Sequence, residues 1–216
     1  MTVSYVPMYD ATHLNVSKIP ADAEKVGGYD TGSTDIQWTA ADWARFPKAG
    51  HVHIDQGYGT AATSQNEVHV LKVIDSEPGA FSPAAAAALV LERVRAGIKY
   101  TTIYCDRNDA PKMVPALKAT EPSRPHWYIG HVRLWLAAPG LTLAEAKALI
   151  DTEYHGILCR AVQYAQGVGG AYDISITAAD WFPAPKPVAE LEGILVQLPA
   201  GWSRKVLSRD GGHTWQ

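Results

Sequence analysis

His69-Val70-Leu71-Lys72-Val73-Ile74-Asp75-Ser76-Glu77-Pro78-Gly79 is the stretch from which the fold is read. It is an apolar run that ends in two carboxylates and then in a Pro-Gly stop. Aliphatic and β-branched residues favour a strand, and proline and glycine open the loop after it. Side chains two apart on a strand point the same way, which puts Asp75 and Glu77 on one face. Two strand rises set their Cβ atoms ~6.5–7 Å apart. Two acids side by side where a buried strand meets a loop suit general acid/base chemistry.

Strands and helices alternate on both sides of this stretch. Before it come Ser4–Asp10, Val26–Asp30 and His51–Asp55, three strands that each end in an acid. A short helix is expected near Ala21–Lys25. Thr39-Ala40-Ala41-Asp42-Trp43 carries a capped helix start, with Thr39 as N-cap and Asp42 in the reciprocal acidic position. After it, Ser82 caps a helix with Pro83 in its first turn, and Gly97 closes it. Tyr100–Cys105 is a fifth strand, Asp109-Ala110-Pro111 starts a helix, and His126–Ala137 holds a sixth strand. Thr142-Leu143-Ala144-Glu145 is a capping box for a helix to about Tyr154. Ile157–Tyr164 and Ala171–Ile176 are strands seven and eight. Thr177–Trp181 then repeats Thr39–Trp43 letter for letter.

Eight strands with intervening helices in the first 182 residues predict an α/β fold, a compact (β/α)8 TIM-like barrel. That fold typically takes ~250 residues, so some helices must be short or missing. An open doubly wound sheet is the alternative, but the chain has no GxGxxG or GxxxxGK[ST] phosphate loop. Residues 183–187 form a proline-rich linker. Residues 188–216 are read as a small C-terminal β-hairpin, with Ile194–Leu198 and Ser203–Leu207 around a Pro-Ala-Gly turn, too short to build a core of its own. Ser208-Arg209-Asp210-Gly211-Gly212-His213-Thr214-Trp215 in this tail matches the Asp-box of sialidase-type propeller blades. One copy makes a stapled hairpin turn, not a propeller.

Composition narrows the function classes. The 216 residues are 47% hydrophobic and 19% charged, with a net charge of −3. That balance, without any lysine/arginine block, gives no electrostatic case for nucleic acid or an anionic membrane. No apolar run is long enough to span a bilayer. The N-terminus lacks the basic and apolar regions of a signal peptide, so an extracellular or phage-associated protein would be delivered another way. Cys105 and Cys159, both in apolar strands, are read as buried free thiols.

In a parallel barrel the functional residues gather at the C-terminal ends of the strands. Asp10, Asp30, Asp55, Asp75, Glu77 and Asp106 fall at or near such ends, and Asp173 lies near the start of the eighth strand. Paired carboxylates are what glycoside hydrolysis requires. One protonates the leaving oxygen, and the other stabilises positive charge at the anomeric carbon or positions the attacking group. Glu77, the longer side chain, is the better proton donor, and Asp75 beside it raises its pKa. Tyr9 and Tyr164 are candidate sugar-stacking faces. His51-Val52-His53-Ile54-Asp55 supports a rival reading. H-x-H with an acid on one strand face suits a divalent metal and a metal-dependent hydrolase, against a hydrogen-bonded polar layer.

Asp10 on the first strand, Ile74-Asp75-Ser76-Glu77 on the fourth, Ile103-Tyr104-Cys105 on the fifth, Gln163-Tyr164 on the seventh and Tyr172-Asp173-Ile174-Ser175 on the eighth form an ordered set. Over residues 4 to 182 this set resembles the lysozyme-type barrel of glycoside hydrolase family 25 and the related domains of actinobacteria and their phages. The resemblance implies cleavage of the N-acetylmuramic acid–N-acetylglucosamine bond of peptidoglycan, without a cofactor or catalytic metal. It implies Glu77 as general acid, with Asp75 and Asp10 assisting at the anomeric carbon or orienting the acetamido group. Asp173, Tyr164, Tyr9, Asp55 and Gln163 would contact substrate. Other phage virion proteins are conceivable partners. A non-catalytic carbohydrate-binding or phage tail barrel is the alternative of a different class.

Overall fold

A computed structural model describes residues 4–30, 33–57, 70–98, 100–122 and 128–181, and two short strands at 205–207 and 213–215. Six strands run parallel, each paired to the next: β1 (Tyr5–Asp10), β2 (Lys25–Tyr29), β3 (Gly50–Asp55), β4 (Val70–Asp75), β5 (Thr101–Asp106) and β6 (Val132–Ala137). A two-residue strand, β7 (Glu153–Tyr154), makes a small hairpin with β8 (Ile157–Val168). β6 pairs parallel with β8, β8 pairs antiparallel with β9 (Tyr172–Ala178), and β9 pairs antiparallel with β1. The result is a mixed α/β fold around a closed eight-stranded barrel.

The expected barrel had eight parallel strands alternating with helices. The observed one departs from that scheme at its end. β9 runs against both neighbours because only residues 169–171 join it to β8. A parallel return needs a dozen or more residues, whereas this link is a tight turn. Gly169 and Gly170 make it at φ 61° and 70°, a region that glycine enters without steric cost.

The helices are few. α1 (Ala40–Trp43) starts at the expected box, with Thr39 N donating to Asp42 Oδ2 at 2.7 Å and Asp42 N to Thr39 Oγ1 at 3.3 Å. α2 (Pro83–Arg95) is capped by Ser82 Oγ, which accepts from Ala85 N. α3 (Ala110–Thr120) follows β5, and α4 (Leu143–Leu149) opens on the Thr142/Glu145 box. α4 stops short of Tyr154 because Asp151 turns to φ 63° and the chain enters β7. No helix forms at Ala21–Lys25. A 3-10 turn at His13–Lys18 precedes it, Ile19 is held extended before Pro20, and Lys25 already belongs to β2. The second copy of the Thr-Ala-Ala-Asp-Trp string ends a strand instead of starting an α-helix. The hydroxyl of Thr177 donates to Val6 O and accepts from Lys25 Nζ, so it is not free to cap, and Ala179–Trp181 is one 3-10 turn.

Register decides which side chains face inward. Paired positions in a sheet share a face, so the chain of partners Asp173–Asp10–Gly27–Val52 places all four inside. The partners Val73–Thr102 and Asp75–Tyr104–Trp135 place these side chains inside as well. The middle of the barrel is filled by Met8, Val52, Ile54, Val73 and Trp135, all buried. Trp135 Nε1 reaches across to Ser175 Oγ at 3.0 Å, and its ring lies 4.5 Å from that of Tyr104. The acids therefore sit above an apolar plug. Outside, Trp38 lies against Gly28, where a Cβ would come within 2.3 Å of the indole, and Trp38 Nε1 donates to Ala11 O.

The chain divides into two units, residues 1–184 and 185–216. In the second, β10 (Lys205–Leu207) pairs antiparallel with β11 (His213–Trp215), Lys205 facing Trp215 and Leu207 facing His213. These strands bracket the Asp-box residues Ser208–Gly212, which lie outside the described residues, as do Ile194–Leu198. Cys105 and Cys159 are both buried and free.

Candidate active site

β4 ends at Asp75, one residue pair short of the predicted strand end. Ser76 N still bonds across to Tyr104 O at 2.7 Å, and then the chain turns. Ala80 N returns to Glu77 O, Phe81 N returns to Asp75 O, and Ser76 Oγ donates to Phe81 O at 3.0 Å. Gly79 makes this turn at φ 99°. Glu77 is thus held on a tight loop over the strand end, and the two acids are tied together by Glu77 N donating to Asp75 Oδ1 at 3.1 Å. The other oxygen of Asp75 accepts from Gln56 Nε2 at 3.1 Å.

Asp75 is 2% exposed. Burial raises its carboxyl to about 6, against the pull of those two hydrogen bonds. Burial also raises Glu77 to about 7, reinforced by the Asp75 and then the Asp106 carboxylates. Asp10 is 4% exposed, and its carboxyl lies well above the usual range through burial, then Asp173 and Glu77. Among the described residues its Oδ1 has no hydrogen-bond partner. Asp173, raised by burial, faces Asp10 directly across the β1–β9 pair. The antiparallel run of β9 brings it there, because the start of that strand lies beside the C-terminal end of β1.

Four of the acids anticipated from sequence therefore converge: Asp10, Asp75, Glu77 and Asp173. Gln163 joins them, fully buried, with Nε2 donating to Asp173 Oδ2 at 2.7 Å. A cavity of about 530 Å³ opens beside Asp75 and Glu77, lined by these two with Tyr29, Ser33, Gln56 and Pro78 among others. It has room for a sugar ring.

Other anticipated residues lie elsewhere. Asp55 pairs with Ile74, which alternates with the inward Asp75, so it faces outward. It sits 3.8 Å from the Arg93 guanidinium of α2 and accepts from Gly57 N. Tyr9 alternates with Asp10 and also faces outward, edge-on to Tyr172 at 5.7 Å. Tyr164 follows the inward Gln163 and packs on the hydrophobic core. His51 and His53 share the outer face with Asp55. The first bonds Phe46 O at 2.9 Å. The second bonds Asp30 at 2.5 Å and stacks on Trp43 at 4.0 Å. Asp30 also binds Lys72. The three candidate metal ligands are thus spread along an outer polar layer, and no metal-ligating cluster occurs among the described residues. Asp106 caps the following turn through Asn108 N and Asp109 N.

Three residues of the site were not among the candidate site residues read from the sequence. Tyr104 is the Cα partner of Asp75 and faces inward with it, and Tyr29 lines the cavity. Gln56, one residue past β3, supports Asp75. Strand register could have found Tyr104, since it sits two residues from the inward Thr102 on the neighbouring strand.

The sequence matches no protein-family profile and no curated protein. Among solved structures, an uncharacterized protein of B. stearothermophilus is similar, with a TM-score of 0.55 over 81% of this chain and 97% of that one. The two are 13% identical, so the likeness is one of fold.

Proposed function

We propose that the chain is a glycoside hydrolase of the family 25 lysozyme type that cleaves the glycan of bacterial peptidoglycan. Its barrel is then a (β/α)8 variant whose last strand is reversed. The observation that carries this reading is the convergence of Asp10, Asp75, Glu77 and Asp173 at one end of the barrel, where Asp75 and Glu77 line an open cavity. Each carboxyl has an environment of its own, and environments that push carboxyl pKa values apart divide acid and base roles.

Glu77 holds a proton near neutrality and stands at the cavity wall, so it donates to the glycosidic oxygen as the bond breaks. Asp75 is ionised at pH 7 and is fixed by Gln56 and the Glu77 amide. It supplies negative charge next to the oxocarbenium-like centre. Asp10 and Asp173 stand behind this pair, and their carboxyls add to the negative potential around Glu77. A barrel of this kind acts outside the cell that made it or as part of a phage particle. The test is incubation with purified cell-wall sacculi and measurement of reducing ends. Release of new reducing ends supports the reading. Binding to sacculi with no release, over several wall types, points to a carbohydrate-binding barrel instead.

A further inference from the structure

The acids gather at one end of the barrel, and cations gather at the other. Register turns them inward. Thr102 faces the interior, and its Cα partners run Thr102–Arg133–Leu158, so Arg133 on β6 shares that face. Lys25, two residues before the inward Gly27, is buried and donates to Thr177 Oγ1 and Ala178 O. β8 supplies a third cation through a bulge. Leu134 pairs with Cys159 and Trp135 with Ala161, which leaves Arg160 as an extra residue on β8. A bulge re-aims a side chain, and that of Arg160 is only 13% exposed.

Arg133 and Arg160 line a cavity of about 170 Å³ together with Tyr100, Thr102, Asp180 and Trp181. It shares no described lining residue with the acidic cavity. Its wall carries two guanidiniums and one carboxylate. Arg160 pairs with Asp151 and Asp180. Arg133 has no carboxylate partner among the described residues. Its Nη1 donates to Gly130 O at 2.8 Å and Val132 O at 2.9 Å, and its guanidinium lies over the Tyr100 ring, 4.1 Å from the centroid. Stacking on a ring uses the face of a guanidinium and leaves its edge N–H groups, the groups that grip an oxyanion. Burial lowers the Arg133 pKa, and the Arg160 charge adds to the lowering, an effect that a bound anion relieves. Thr102 Oγ1 accepts from Trp181 Nε1 at 3.2 Å, and its own proton has no acceptor among the described residues. The Asp180 side chain is 83% exposed, so its hold on Arg160 is a surface ion pair that water readily replaces.

We propose that this cavity is an oxyanion site that takes a phosphate group, held between the guanidiniums of Arg133 and Arg160 in place of the Asp180 carboxylate. A carboxylate satisfies one guanidinium fork, as Asp180 does. A phosphate dianion offers oxygens in several directions, to two guanidiniums arriving from different strands and to the Thr102 hydroxyl. The cavity is about a third the volume of the acidic one, which suits a free phosphate or a phosphate monoester of a small alcohol and not a glycan strand. The site is separate from the acid cluster and does not rest on the glycosidase reading.

The test is an NMR titration of the full chain with inorganic phosphate and, separately, with glycerol phosphate, at neutral pH and with ionic strength held constant by chloride. Saturable shifts centred on Arg133, Arg160 and Thr102 are expected. Tighter binding of inorganic phosphate identifies the free ion as the ligand, and tighter binding of glycerol phosphate identifies a phosphoester. Arg133→Gln should weaken binding by at least ~10-fold, the loss of a charge-assisted hydrogen bond. Asp180→Asn removes the competing carboxylate and should tighten binding by roughly 3- to 10-fold. Thermal melts establish that each variant folds. Asp180 is exposed, so its variant decides the matter if Arg133→Gln does not fold. No saturable shift with either phosphate at millimolar concentration, unchanged affinity in folded Arg133→Gln, or unchanged or weaker affinity in Asp180→Asn would each overturn the proposal. Hydrolysis is not read, so these outcomes leave the glycosidase reading untouched.

Discussion

Asp10 and Asp173 stand opposite one another across the antiparallel β1–β9 pair, both inside the barrel. Directly opposed Cβ atoms in such a pair lie ~4.5–5.5 Å apart, so two negative charges there repel. Both carboxyls are raised by burial, and Asp10 is raised further by Asp173. A carboxyl whose folded pKa exceeds its unfolded value binds more protons when folded. Its stabilising effect is full below the unfolded pKa and is lost as pH rises through the folded one. Asp10→Asn keeps the shape and removes the charge. It is expected to stabilise the fold at pH 7 to 8 by on the order of 1 kcal/mol, seen as a higher melting temperature, with the gain vanishing near pH 4. Thermal melts against pH check this, and a lower melting temperature at neutral pH would contradict it.

The pH dependence of hydrolysis should be bell-shaped. Activity needs Asp75 ionised and Glu77 protonated, and these carboxyls titrate at about 6 and about 7. The rate should rise through the first value and fall through the second, as macroscopic constants of a coupled pair. A kcat/KM profile flat from pH 5 to 8 would contradict this assignment.

His53 lies on the outer face between Trp43 and Asp30, away from the cavity. His53→Gln should therefore leave hydrolysis within about twofold of wild type while lowering stability by ~1 kcal/mol, the usual worth of one hydrogen bond. A chelator should leave the rate unchanged. Loss of activity on chelation, restored by zinc or manganese, would move the site to His51, His53 and Asp55.

The sequence made the strand order, the caps and the acid pair legible because each rests on local chemistry. Thr39 and Asp42, Ser82, and Thr142 with Glu145 cap as their spacing predicts. Period-two alternation identified Asp75, and the same rule put Asp55 with His51 and His53. Alternation alone does not tell the inside of a barrel from the outside. Gln56, Tyr29 and Tyr104 were given no site role from the sequence, because their places beside Asp75 and the cavity come from neighbours far apart in the chain. The reversal of β9 was hidden in a turn of three residues. That reversal explains why Asp173, near the start of its strand, lies with acids at the ends of theirs.

The central claim is that Glu77 is the proton donor of a glycosidase, and Glu77→Gln tests it most directly. The substitution removes the proton and keeps the shape, and loss of a general acid typically costs 10²–10⁴-fold. Reducing-end release from peptidoglycan should fall by at least ~100-fold, with the melting temperature at pH 7 unchanged or raised. Hydrolysis by Glu77→Gln at the wild-type rate would contradict the account.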